Sequence, residues 1–584
     1  VIGHIWRRTL AAGALAAIAF AGVPFAAAAP VPGNPQEEPD FAESQPGNYL
    51  AALIASANRD SSAAEAYYME ALRLDPHNPD LIERAFSAAL SNGDVSQASA
   101  LADRLLSHDP TNRLARLALA VNAMQRGDYP TARWQLQSHD AGPRDVTTSL
   151  LIAWTYAGQK DLRRALDTLD RIRDPGVAAF RDFHAGLIAD QLGAAAEAQR
   201  RLKAAYETDR NALRFADAYA RFLAAHGDKD GAGRIYAAFA AAAPHNPIVE
   251  RGLADIAAEQ SPKPLVASAG DGAAEVLYGL GAAGIRQGDE LPALVYLRLS
   301  LFLRPGDDLT AVTLANLFEE MKKDDLAIAA YEAVPATSPL RRDSEIQAAL
   351  VLDSDGKSDE AIKRLTAIVA ARPYDPDALA ALAGAQRSAK RYEEAAATYD
   401  KAIAAVGIPT RDNWTLFYFR GICYERAKDW PKAEDDFKKA LELYPDQPMV
   451  LNYLGYSWVD QGVKLDEAFR MLRRAVELRP NDGYIVDSLG WAHYKLGQYS
   501  EAAETLEKAV DLKPADPVLN DHLGDAYWHV DRKVEARFQW NHARDMKPEP
   551  EDLPAILKKI EVGLPDGAPD RPQPDDAPAK AGGG

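Results

Sequence analysis

The chain predicts an all-α fold, a solenoid of stacked helix–turn–helix pairs, and three observations carry the prediction. The first is a period: Pro445, Pro480, Pro514 and Pro548 stand 35, 34 and 34 residues apart. The second is a fixed punctuation within it. An alanine precedes each proline by five residues (Ala440, Ala475, Ala509, Ala543), another lies seven earlier (Ala433, Ala468, Ala502, Ala536), and Gly421, Gly455, Gly490 and Gly524 open the units. The third is persistence upstream. Ala395, Ala361, Ala327 and Ala293 step back by 34 residues, and Ala232, Ala198, Ala165, Ala132, Ala98 and Ala64 recur at 33 or 34. Units of this length cannot bury an apolar face alone, so they stack on their neighbours. About fourteen are counted, arranged as a right-handed superhelix; unrelated alanine-rich helices would not hold the phase.

Each punctuating residue has a packing reason. Gly455 sits where the first helix of a unit (helix A) must approach the second (helix B), and Ala468 is the matching small residue on helix B. Leu454 and Leu472 fill the layer between them. Pro480 ends helix B because it has no amide proton to continue the ladder. In the unit from Tyr484 to Pro514, Leu489-Gly490, Ala502, Leu506, Ala509 and Pro514 resemble the tetratricopeptide repeat without a gap; His493 replaces the tyrosine usual in that pattern. The resemblance implies a protein-binding scaffold rather than an enzyme.

Length and charge bound the function. A globular chain of 584 residues would hold several domains, but a solenoid grows by stacking. A net charge of −19 disfavours nucleic acid and anionic lipid, and welcomes basic segments of proteins. Cys423, the only cysteine, occupies a slot held by Ser457, Ala492 and Ala526 in the following units, and so reads as a small core residue.

Along the chain, residues 1–28 read as a signal peptide: Trp6-Arg7-Arg8, an apolar run from Leu10 to Phe20, then Ala26-Ala27-Ala28. The general export route is expected, with no lipid-attachment cysteine after the apolar run, and a periplasmic location. Residues 29–46 form a proline-rich leader, and 47–258 a degenerate first array. At 259–272, Ser261-Pro262-Lys263-Pro264 and Gly270-Asp271-Gly272 are expected to break the helix, as a hinge or an ordered loop. A second array follows at 273–548, its clearest repeats being 414–447, 448–482, 483–516 and 517–550. Residues 551–562 predict a capping helix and 563–584 a disordered tail.

Helix A of each unit lines the groove of such a stack, so its residues one turn from the glycine point into it. These positions give a candidate partner-binding groove of Tyr418, Asn452, Tyr456, Tyr484, Asp487, Trp491, Tyr494, Asp521, Asp525 and Trp528, with Ile422 and Val459 beside them. Rings offer stiff contact area, and the short polar groups can hold the backbone of an extended segment. Equally, single rings can pack between units; the acidic pair Asp521 and Asp525 is not expected to. A clamp for a terminal carboxylate needs lysine in the groove, and none stands at these positions. No His-Glu-x-x-His, phosphate loop, CxxC or Gly-x-Ser-x-Gly is present, so no catalytic residue, metal or cofactor is expected.

The segment Asn413–Pro548 is similar to long exported bacterial repeat proteins, through Phe417-Tyr418-Phe419-Arg420-Gly421, Asn452-Tyr453-Leu454-Gly455-Tyr456 and Asn520-Asp521-His522-Leu523-Gly524-Asp525. More loosely, the chain resembles outer-membrane repeat lipoproteins that act as adaptors for carboxy-terminal processing proteases. That resemblance implies a scaffold joining a protease or cell-wall hydrolase to its substrates. A component of an envelope assembly or polysaccharide export machine is the alternative.

Overall fold

The protein is described from a computed structural model, which covers residues 44–137, 145–260 and 262–565. The predicted signal peptide, most of the predicted leader, and the predicted tail beyond residue 565 lie outside the described residues. Among the described residues there are thirty α-helices and no strand. Fourteen consecutive A/B pairs account for all but Pro247–Ala257 and Leu553–Val562. Two compact units divide between Lys357 and Ser358.

Local chemistry sets each pair. Asp482 and Asp516 cap the helices that follow them: the Asp516 carboxylate accepts from the Val518 and Leu519 amides at 2.9 and 3.1 Å. Pro448 and Pro517 stand at the first helical position, where no amide proton is needed. Helix A gives way to helix B through one left-handed residue. Gly497 (φ +75°) lets the Gln498 amide reach back to the His493 carbonyl at 2.9 Å, closing the end of Gly483–Lys495. The repeat glycines are set by close approach instead. A Cβ on Gly490 would lie 2.6 Å from Leu506 Cγ, and one on Gly421 2.8 Å from the Phe437 ring.

In the unit up to Lys357, the expected break falls between the helices Pro247–Ala257 and Ala269–Gln287 and ends earlier than 272. Gly270 and Gly272 lie inside the helix Ala269–Gln287. Ser268 and Asp271 form a reciprocal capping box that outweighs the glycines' low helix propensity. This helix and its partner Glu290–Leu303 then pack back on the A helices Pro79–Asn92, Arg113–Gln125, Val146–Gly158 and Ala178–Gln191. Gly279 meets the Phe180 ring, where a Cβ would lie 2.7 Å away. Arg214 donates to Glu275 at 2.8 Å, both largely buried, and Arg59 pairs with Glu290 at 2.6 Å. The A-helix face of these four pairs is therefore packed against by the chain itself.

In the unit from Ser358, A helices of consecutive pairs touch one another, from Pro376–Ser388 and Trp414–Arg426 through Pro448–Asp460, Gly483–Lys495 and Pro517–His529, with the Tyr453 hydroxyl donating to Glu425 at 3.2 Å between the second and third. Trp458 and Trp540 are fully buried, as core residues should be. Cys423 is buried too, and burial pushes its thiol up to about 12, which makes it inert.

Candidate functional site

Three successive A helices, Pro448–Asp460, Gly483–Lys495 and Pro517–His529, enclose an open cleft of about 280 Å³. Asn452 and Tyr456 come from the first helix, Tyr484 and Asp487 from the second, and Asp516, Val518 and His522 from the third and its cap. The mouth is apolar: Tyr484 is 41% exposed and Val518 45%. The Lys513 ammonium lies 4.6 Å from the Tyr484 ring centroid. Inside, the side-chain oxygen of Asn452 is buried and accepts no hydrogen bond among the described residues. An unmade bond of that kind costs about 1–3 kcal/mol.

One wall of the cleft is held by an ion pair. His522 Nδ1 lies 3.0 and 3.1 Å from the two carboxylate oxygens of Asp487, and its ring stacks on Trp491 at 4.0 Å. Burial alone would depress the His522 imidazolium, but the charge and hydrogen bond of Asp487 outweigh it and hold the pKa above its ordinary value. Burial pushes the Tyr456 hydroxyl up to about 12, so it remains a neutral donor.

The structure thus brings together Asn452, Tyr456, Tyr484 and Asp487 out of the residues the sequence proposed. The others go elsewhere. Tyr418 is core, packed at 6.0 Å against Tyr453 and 5.7 Å against Trp414. Tyr494 is buried between Trp491 and Tyr499, at 4.7 and 5.5 Å. Trp491 backs the cleft through His522 rather than lining it.

The acidic pair is the clearest correction. The Lys559 ammonium sits 2.7 Å from Asp521 and 2.7 Å from Asp525, and Trp540 Nε1 donates to Asp525 at 2.9 Å. Packing therefore does account for both carboxylates, and neither is open to a basic partner. Burial pushes Asp525 up to about 6 despite the ammonium. Trp528 Nε1 donates to the Leu564 carbonyl at 3.0 Å, so that ring too is covered.

Tyr453, Ser488, Asp516, Val518, Leu519 and His522 were missed. The signal was in the repeat frame. Val518 lies six residues before Gly524, as Tyr484 does before Gly490, and His522 lies two before Gly524. Among the described residues no group of three or more His, Cys, Asp or Glu could hold a metal ion, and no helix is long and apolar enough to cross a membrane.

Paired helices stacked about an exposed A-helix cleft define a helical-repeat scaffold. The chain carries tetratricopeptide repeats: models described as tetratricopeptide repeat match residues 55–121, 346–407 and 414–447, and one described as TPR repeat matches 490–530. All four are repeat families, of the kind that build protein–protein interaction surfaces. The TPR repeat-containing protein PA4667 of Pseudomonas aeruginosa is 29% identical over 196 residues, 33% of this chain and 32% of that protein. BBSome complex member BBS4 of Bos taurus is 25% identical over 156 residues, 27% of this chain and 29% of that one. The chain spans about a third of the length of these curated relatives. Among solved structures, the APC/C hetero-tetramer Cut9-Hcn1 matches at a TM-score of 0.38 and 14% identity, covering 89% of this chain and 97% of that one. A tetratricopeptide repeat protein from Parabacteroides merdae matches at 0.34 and 18%, covering 49% and 98%.

Proposed function

We propose that this protein is a non-enzymatic scaffold that holds an extended polypeptide segment in the cleft between Asn452 and His522. The open cleft shared by three successive A helices supports the reading most directly, because it offers one segment contacts from each of them. Tyr484 and Val518 then offer a half-exposed apolar seat for one side chain of the segment. Charge attraction is weaker than the sequence predicts, because Asp487 is already paired with His522, and Asp521 and Asp525 with Lys559.

The cellular setting belongs to the same proposal. The N-terminal sequence supports export to a periplasm, where the scaffold would bring a protease or cell-wall hydrolase to its substrate by raising effective concentration. A place in an envelope assembly or export machine uses the same cleft. A photo-crosslinking residue at position 484, with a control at the exposed loop position 408, tests both. Capture of one partner from 484 alone, lost on Asn452→Leu, is the expected result. A protease or hydrolase identifies the adaptor, and synthesis or secretion subunits identify the assembly role. Equal labelling from both positions would remove the cleft as the site.

A further inference from the structure

The helix Leu553–Val562, which follows the last repeat, packs back against it. Leu553–Val562 lies on the helices Pro517–His529 and Lys533–Asp545. It places Lys559 between Asp521 and Asp525, which occupy the frame positions that Asp487 and Trp491 hold one repeat earlier. Its end is fastened by the backbone: Gly563 lies so close to Trp528 that a Cβ would sit 2.1 Å from the indole, and the Leu564 carbonyl takes the Trp528 N–H at 3.0 Å. Ile556 is fully buried, and the ring of Trp528 and the side chain of Ile560 complete the contact.

Everything else about this helix is weak. It has ten residues, fewer than the roughly 12–15 an isolated helix needs to be even marginally stable. Asp552 at its N-terminus makes no side-chain cap. Ile556 is its one buried residue, whereas Pro517–His529 buries Leu519, Asn520, Leu523, Gly524, Asp525, Ala526 and Tyr527. Leu557 is 45% exposed and Val562 62%. The connection from Met546 to Asp552 carries Pro548 and Pro550, and so cannot extend the preceding helix.

We infer that the face formed by Asp521, Asp525 and Trp528 is a second binding surface, for a short amphipathic helix that presents a lysine beside isoleucine, and that the helix Leu553–Val562 occupies it in cis and is replaceable in trans. The specificity is written in the contact itself. Two carboxylates and one ammonium make the exchange selective for a cation, and Ile556 and Ile560, three before and one after Lys559, supply the apolar flank. The inference rests on reading the chain as a polypeptide-binding scaffold, but it uses a surface distinct from the Asn452–His522 cleft. Tethering raises the local concentration of the resident helix, so an incoming helix succeeds only if it binds better or if the resident one is weakened.

The test uses the full chain and a fluorescent peptide with the sequence of residues 551–565. The chain carrying Lys559→Glu, whose own helix is repelled by the two aspartates, should bind the peptide at least tenfold more tightly than the unaltered chain. The peptide bearing the same Lys-to-Glu change should not bind. Gly563→Val provides a second route, since it dislodges the end from Trp528 while leaving every charge in place; it too should tighten peptide binding. Hydrogen exchange of the unaltered chain should be faster in 553–562 than in 517–545. Equal protection of the two segments, or no gain in peptide binding by either variant, overturns the inference and makes the helix a fixed cap. Tyr484→Ala should leave peptide binding intact, so a failed cleft and a failed C-terminal surface give different results.

Discussion

Gly272 lies against the indole of Trp154: a Cβ on the glycine would stand 2.3 Å from Cη2. The glycine's lack of a side chain is what lets the helix Ala269–Gln287 cover the A helices of the first array. Trp154 is itself fixed, its Nε1 donating to His184 Nδ1 at 3.2 Å in a fully buried site. The sequence predicts two arrays and places the candidate groove in the second, and the structure packs four A helices of the first against its own chain. Partner capture is consequently expected in the unit from Ser358.

Gly272→Leu should destabilise the unit up to Lys357 by about 1–3 kcal/mol, the usual cost of overpacking. Urea unfolding reads the loss, and hydrogen exchange should rise first in 269–287. An unchanged midpoint would mean that the indole moves aside freely.

Glu275→Leu leaves the buried Arg214 guanidinium without its anion and should cost about 3–5 kcal/mol. Adding Arg214→Met should recover most of it, because the charge and its desolvation cost leave together. A double variant no better than the single one would show that the pair does not act as a unit.

Tyr484→Ala and Val518→Ala should weaken partner capture while leaving the melting temperature within about 2–4 °C, since both side chains are already half exposed. Tyr494→Ala should instead cost on the order of 3–5 kcal/mol, as truncation of a large buried ring does. A reversed ranking would exchange the roles assigned to the two rings.

The His522–Asp487 pair makes stability depend on pH. The pKa of His522 is raised in the folded state, so its proton is held more tightly there than in the unfolded chain. Its contribution is fully present below about pH 6.5 and is lost as pH rises through the raised value. Asp525, raised to about 6, acts in the same direction over a lower range, from about pH 4 to 6. Thermal melts from pH 5 to 9 should show the unaltered chain losing its advantage over His522→Gln as pH increases. A constant difference across that range would refute the coupling.

Part of the candidate site was legible before the structure because a repeat frame transfers geometry from one unit to the next. Asn452, Tyr456, Tyr484 and Asp487 were reached by counting from the glycines, and they do meet in the cleft. Val518 stands at the frame position of Tyr484, but on its own helix the reading began three residues later, at Asp521, and it passed over His522 beside it. Tyr418 occupies the frame position of Asp487 and yet is core, because large rings on neighbouring helices, Trp414 and Tyr453 among them, converge on it.

By itself, the sequence determined the helical pairs, their number and their glycine–alanine contacts. Those depend on residues a fixed, short distance apart, which periodicity reports directly. Only the tertiary structure decided which faces stay open. That outcome depends on Gly272 meeting Trp154, a contact between helices many repeats apart, and on Lys559 meeting Asp521 and Asp525 from a helix outside the paired pattern.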